Sequence, residues 1–195
     1  MNRNRMENQF HPNLQGHFLV ATPKLSHSNS TFQRSVILVL QDDHNGTFGV
    51  ALNRVADVES GEDFGSPPGV PDLKVASNYV GGDQGGPIFA IHRSRALADL
   101  EIPGGIFLSA QSEKLNELMG QIESPYRLVL GVVGWEKKQV RQEINKGLWL
   151  PMTASHEEIF GDPASLWREC LRRHGRDELA RVVGPVHFPP TAQHN

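Results

Sequence analysis

Cysteine is nearly absent from this chain of 195 residues, which contains a single one, Cys170. One cysteine can form neither an internal disulfide nor a metal site built from several thiolates. The sequence also has no His-Glu-x-x-His, Cys-x-x-Cys, Asp-x-Asp or Glu-x-x-His motif, so we expect no metal and no cofactor. A chain with so little cysteine fits a reducing compartment, and we expect it in the cytoplasm.

Long hydrophobic runs are also missing. The longest apolar stretches, 36–40 and 128–133, are far shorter than the roughly 20 residues that a membrane-spanning helix needs. The first residues, MNRNRMENQFHPN, lack the apolar core of a secretory signal. We therefore expect no membrane partner and no secretory signal.

A strong excess of either charge is absent as well, because 19 Lys and Arg oppose 22 Asp and Glu for a net charge of −3. A surface for polyanions in general is not indicated, and we expect no direct, specific binding of nucleic acid. One local basic cluster could still meet phosphates, although a solvated helix end explains it more simply. Its members are Arg168, Arg172, Arg173, His174 and Arg176.

The chain divides into one domain with two polar ends. Residues 1–12 are predicted to be a flexible arm, 13–184 a single domain, and 185–195 a proline-containing tail. Residues 57–72, rich in glycine, proline and acids, are predicted to be a long surface loop.

Strands and helices are predicted to alternate irregularly within the domain, which indicates an α+β fold with a mixed sheet and helices packed on it. Asn45-Gly46 between two apolar runs predicts a β-hairpin. Predicted strands cover 17–21, 35–40, 47–52, 77–80, 88–91, 106–109, 127–133 and 148–150. Predicted helices cover 115–122, 136–146 and a last segment that begins at Asp162 and closes at Gly175.

A glycine-rich segment, predicted to be a turn between two strands, is the first candidate site. Its residues are Gly81, Gly82, Asp83, Gln84, Gly85, Gly86 and Pro87. Such backbone can form an anion-binding nest of N–H groups. The spacing matches no nucleotide-binding motif, so a wide turn is the simpler interpretation and a ligand-binding loop stays the alternative.

Polar residues near predicted strand ends supply the other candidates. His92 follows a strand and could serve as an acid or base, while Asn53 and Arg54 follow the hairpin and Arg34 precedes it. An arginine near a glycine-rich turn could hold an anion. Cys170 lies on the apolar stripe of the last helix, so we expect it to be buried and unreactive.

Several segments in order resemble the bacterial YqgE/AlgH family. They are GHFLVATPKL (16–25), FQRSVILVLQDDHNGTFGVALNR (32–54), YVGGDQGGPIFAIH (79–92), YRLVLGVVGWEKKQVRQEINKGLWL (126–150) and IFGDPASLWREC (159–170). The resemblance implies a compact α+β domain with a mixed, curved sheet, and it brings no established catalytic residues. The family usually has a single Gly-Gly-Pro turn, so the second Gly-Gly pair here, Gly85-Gly86, is a departure.

The leading functional hypothesis is a cytosolic module that binds a small ligand or a protein partner. Its groove would lie near the glycine-rich turn, His92, Asn53 and Arg54. One alternative is a transcriptional regulator, acting through the basic cluster or through a partner, as labels in the family suggest. The other is a small hydrolase or transferase that uses His92 with Asp83. The oligomeric state stays open.

Overall fold

The computed structural model describes residues 13–25, 31–55, 79–120 and 125–183. The predicted arm, the 57–72 loop and the tail lie outside the described residues. The strands are β1 (His17–Ala21), β2 (Val36–Asp42), β3 (Gly46–Ala51), β4 (Tyr79–Val80), β5 (Gln84–His92), β6 (Leu100–Ile102), β7 (Ile106–Ser109), β8 (Tyr126–Glu136) and β9 (Trp149–Thr153). The helices are α1 (Ser112–Gly120), α2 (Gln139–Asn145), α3 (His156–Phe160) and α4 (Pro163–Val183).

The described strands form one curled sheet in the order β6-β7-β5-β8-β3-β2-β1-β9. All neighbours in this order are antiparallel, and β4 adds a parallel pairing with β8, so the predicted mixed α+β fold is confirmed. Of the described helices, none is long and apolar enough to cross a membrane.

The predicted hairpin is present, and β2 pairs antiparallel with β3. Its turn is held by the side chain of Asp43, whose Oδ1 accepts a hydrogen bond from the N–H of Asn45 at 2.7 Å. Gly46 follows at φ 156°, where a Cβ would lie 2.6 Å from the carbonyl oxygen of Trp135. The glycine is therefore required by the neighbouring strand as well as by the turn.

Strand β8 is the centre of the sheet because it changes partners along its length. Its second half pairs with β3 through Val133–Glu136, and its first half pairs with β5. The short strand β4 fills the space that opens between β3 and the first half of β8, pairing with Val129 and Leu130. The end of β3, the start of β8 and the end of β5 lie at one end of the sheet.

Helices cover both faces of the sheet. The larger core joins one face to α3 and α4 through Ile159, Leu166 and Cys170. On the other face, Val140 of α2 packs with the buried tryptophans of β8 and β9, and α1 covers a separate smaller core. The buried apolar surface of both faces supplies the main driving force for this arrangement.

Local signals located the start of α4 and the end of α2 correctly. Asp162 caps α4, since its carboxylate accepts from the N–H groups of Ala164 and Ser165, both at 3.1 Å. Gly147 ends α2 at φ 71°. The prediction that Gly175 ends the last helix is wrong, because α4 continues to Val183. A glycine inside an exposed helix costs only about 1 kcal/mol, and good helix formers follow it. The short elements β6 and α3 were not predicted.

The glycine-rich turn is shorter than predicted, because β5 already begins at Gln84. Gly81 and Gly82 lie against β8: a Cβ on Gly81 would stand 2.3 Å from the Gly131 oxygen, and one on Gly82 would stand 2.1 Å from Val132. Close approach to a neighbouring strand therefore explains this first pair. By contrast, a Cβ on Gly85 would have no atom within 4 Å.

These contacts predict effects of very different size for two similar substitutions. Gly82→Ala should lower the free energy of unfolding by about 3 kcal/mol or more, because strand β8 must move to admit the methyl group. Gly85→Ala should change it by less than about 1 kcal/mol, because the methyl group enters open space. Urea denaturation of both variants provides the measurement. Equal losses would mean that the approach of Gly82 to β8 is not what requires the glycine.

Candidate functional site

Asn53 joins the ends of β2 and β3. Its Oδ1 accepts from the N–H of Val36 at 2.9 Å, and its Nδ2 donates to the carbonyl oxygen of Arg34 at 2.8 Å. Arg34 has a left-handed backbone with φ 55°, which an arginine rarely adopts. The oxygen and the nitrogen of the Asn53 amide are thus both hydrogen-bonded to backbone groups. The role of Asn53 is to fix the conformation of the segment that carries Arg34.

Three arginines at this end of the sheet each lie over an aromatic ring. We call this group the arginine edge. Its pairs, with the distance from Cζ to the ring centroid, are Arg34 over Trp167 at 5.7 Å, Arg54 over Phe32 at 5.2 Å and Arg127 over Tyr79 at 4.6 Å.

No carboxylate of the described residues lies within the 4.0 Å ion-pair distance of Arg34, Arg54 or Arg127. Arg34 is exposed and Arg54 is half-buried, whereas Arg127 is buried. Like charges repel each other, so the collection of these arginines at one edge has an electrostatic cost that no ion pair among the described residues offsets.

The buried Arg127 connects two backbone segments at the arginine edge. Its guanidinium donates to the carbonyl oxygen of Leu52 at 2.8 Å and to that of Gly161, which precedes the α4 cap. Burial lowers the pKa of Arg127, because removal from water disfavours the charged form. Sequence reasoning missed this residue, since it only begins the predicted strand 127–133 and belongs to no motif. A charged residue at the start of an apolar strand was the one available signal.

Ser35 is the other unusual group at this edge. It is buried at 1% exposure, and of the described residues it alone has a buried side-chain oxygen or nitrogen without a hydrogen-bond partner. An unsatisfied buried hydroxyl costs about 1–3 kcal/mol. Ser35 lies between Arg34 and the first residue of β2, so the unsatisfied hydroxyl belongs to a residue next to the arginine edge.

His92 ends β5 at this end of the sheet but does not reach the surface. Its Nε2 lies 2.8 Å from the Ser109 hydroxyl, which itself donates to the carbonyl oxygen of Leu97, and its Nδ1 accepts from the N–H of Ser94 at 3.2 Å. These partners fit a neutral ring with its proton on Nε2. Burial lowers the pKa of His92, which favours the same neutral form.

Asp83 lies far from His92. It immediately precedes Gln84, which pairs with Val132, whereas His92 pairs with Tyr126. Six residues of strand at roughly 3.3 Å each separate those positions on β8 by about 20 Å. The acid–base pair that the hydrolase hypothesis needs is therefore not formed, since its members must lie within about 3 Å or one water.

The predicted site residues thus fall into three regions. Arg34, Asn53 and Arg54 come together, and His92 lies at the same end but is buried on another face. The first glycine pair is incorporated into the sheet, because the N–H of Gly81 donates to Leu130 at 2.7 Å. Gly82 is half-buried against β8, and Asp83, Gly85 and Gly86 are exposed further along. A ligand at Gly85 and Gly86 stays a prediction.

Cys170 lies in the larger core with Leu166, as predicted. It is fully buried, and burial raises the pKa of its thiol to about 12. A thiol that stays protonated and inaccessible is a poor nucleophile. Within the described residues, no group of three or more His, Cys, Asp or Glu side chains could hold a metal ion.

The fold defines an α+β protein with a curled sheet, and comparison with known proteins identifies its family. The profile of the AlgH-like family matches residues 18–178. This chain therefore belongs to the AlgH-like family, as its motifs had indicated.

Relatives in several bacteria are similar over most of their length. A UPF0301 protein from Myxococcus xanthus is 32% identical, covering 88% of this chain and 97% of the relative. Another from Chlamydia trachomatis is 30% identical, covering 82% and 86%. These relatives belong to a family of uncharacterised function.

Two solved structures share the fold. The solution structure of the AlgH protein from Pseudomonas aeruginosa aligns with a TM-score of 0.67 at 22% identity, covering 94% of this chain and 100% of that one. A crystal structure of a protein from Corynebacterium diphtheriae aligns with a TM-score of 0.64 at 24% identity, covering 89% and 90%.

The environment of His92 predicts a pH dependence of stability. The unfolded chain binds a proton at this residue near its ordinary pKa of 6.5, while burial keeps the folded form neutral to lower pH. The free energy of unfolding should therefore fall as the pH drops below about 6.5, by up to 1.36 kcal/mol per pH unit. Urea denaturation at pH 7.5 and 5.5 measures the difference.

His92→Gln should reduce this difference whatever its effect on stability at pH 7.5. His44→Gln, at an exposed histidine, is the matched control and should leave it unchanged. An undiminished pH dependence in His92→Gln would assign the effect to another group.

Proposed function

We propose that this protein is a binding module that holds an oxyanion-bearing ligand, a phosphate or a carboxylate, at the arginine edge. The observation that carries the proposal is that Arg34 and Arg54 lie against aromatic rings and have no carboxylate partner among the described residues. Solvent-accessible guanidinium groups that are oriented but not neutralised are suited to capturing an anion.

The aromatic rings prepare the arginines for binding. A ring under one face of the guanidinium restricts the side chain while its N–H groups stay available in the plane. Restriction before binding lowers the conformational entropy that a ligand must overcome. Phe32 under Arg54 and Trp167 under Arg34 can both act in this way.

Two further features support an anion here. Arg127 adds a third positive charge at the same end of the sheet and already uses two carbonyl oxygens, so its position is fixed. The Ser35 hydroxyl has no hydrogen-bond partner in the described part of the chain, and a bound ligand or water could satisfy it.

Binding is favoured over catalysis because His92 is buried and hydrogen-bonded and Asp83 lies far from it. A regulator that reads duplex DNA directly is not favoured, given the net charge of −3. We also propose that the protein works in the cytoplasm, which its single cysteine supports.

Anion binding predicts saturable complexes with simple probes. Inorganic phosphate, pyrophosphate and citrate should each be titrated at low ionic strength while amide chemical shifts are followed by NMR. At least one probe should give saturable shifts at residues around Arg34 or Arg54. Arg34→Met and Arg54→Met, which keep a long apolar side chain, should each weaken that complex by about tenfold or more if the arginine contacts the anion.

Arg95→Met is the matched control. Arg95 is also exposed but pairs with Glu101 at 2.8 Å, and its loss should leave binding unchanged. The proposal fails if no probe gives saturable shifts at the edge. It also fails if both edge variants bind as tightly as the Arg95 variant.

A further inference from the structure

From Arg168 onward, α4 presents one face that no described element covers. Arg168, Arg172, Arg176, Leu179 and Val182 follow each other at spacings of three or four residues, which places them along one side of a helix. The three arginines are exposed, and Leu179 and Val182 are 63% and 83% exposed. We call this face the α4 row.

The arginines of the α4 row differ from others on the same helix. Arg173 pairs with Glu158 at 2.9 Å, and Arg181 pairs with Glu178. For Arg168, Arg172 and Arg176, no carboxylate in the described part of the chain lies within 4.0 Å. Like charges one turn apart on a helix repel each other, so the spacing of these arginines does not by itself stabilise α4.

We propose that the α4 row docks an acidic amphipathic segment of a partner protein. Carboxylates of that segment would meet the three arginines, and apolar side chains beyond them would cover Leu179 and Val182. A partner with both features matches the row along its whole length, and charge pairing would fix its orientation.

The apolar pair favours a protein over a nucleic acid. A phosphate backbone could pair with the arginines but offers nothing apolar for Leu179 and Val182. A second copy of this chain fits poorly too, because the same basic face would meet itself. Of the acidic residues near the end of α4, Asp177 lies on the opposite side of the helix, and Glu178 already pairs with Arg181.

The test uses the full chain and a labelled synthetic helical peptide. The peptide carries glutamates at three successive i, i+4 positions, followed by leucines three and six residues later. Fluorescence anisotropy should give saturable binding that weakens with salt. Arg172→Glu with Arg176→Glu should weaken it at least tenfold, and so should Leu179→Ser with Val182→Ser. Circular dichroism should match wild type and urea midpoints should shift only slightly, because the side chains are exposed and charges on a helix surface contribute little to stability.

Charge reversal supplies the matched control. A peptide with lysines in place of the glutamates should bind the Arg172→Glu, Arg176→Glu variant better than wild type.

Absence of saturable binding by the glutamate peptide overturns the proposal. So does a single-stranded oligothymidine that binds more tightly than the peptide and ignores the Leu179 and Val182 substitutions. A dimer in light scattering that these two substitutions dissociate would assign the row to a second copy instead. None of these outcomes depends on anion binding at the arginine edge.

Discussion

The change of partner along β8 is the constraint on which the rest of the structure depends. Because its second half pairs with β3 and its first half with β4 and β5, the sheet must open to admit β4. The approach of the 79–84 segment to β8 is so close that Gly81 and Gly82 leave no room for side chains. Glycine here serves packing between strands, which accounts for the first of the two glycine pairs in the segment that the sequence offered as a turn or, alternatively, as a ligand-binding loop.

The same opening gathers strand ends and creates the arginine edge. Carbonyl groups of Leu52 and Gly161, which belong to different parts of the fold, are both satisfied by Arg127. An arginine can bridge them because its planar group carries several donors. Arg34 and Arg54 lie at the same end, and their side chains donate to no backbone carbonyl among the described residues. This division between one buried, structural arginine and two that stay at least partly exposed is the basis of the proposed function.

Features set by near neighbours in the sequence could be predicted, and features set by distant contacts could not. The hairpin at Gly46, the cap at Asp162 and the burial of Cys170 each follow from a local pattern or from an apolar helix stripe. The end at Gly175 was wrong because a local breaker was outweighed by the sequence after it. Arg127 was missed because its partners lie 75 and 34 residues away along the chain.

The central claim is that Arg127 is structural whereas Arg34 and Arg54 are free to bind an anion. The free energy of unfolding of three matched variants tests this claim most directly. Arg127→Met should lose about 2–4 kcal/mol, because two carbonyl groups lose their donor in a buried setting. Arg34→Met and Arg54→Met should each lose no more than about 1 kcal/mol, the contribution of a cation–π contact near the surface. Losses of several kcal/mol at Arg34 and Arg54, equal to that at Arg127, would contradict the account, since all three arginines would then be part of the architecture.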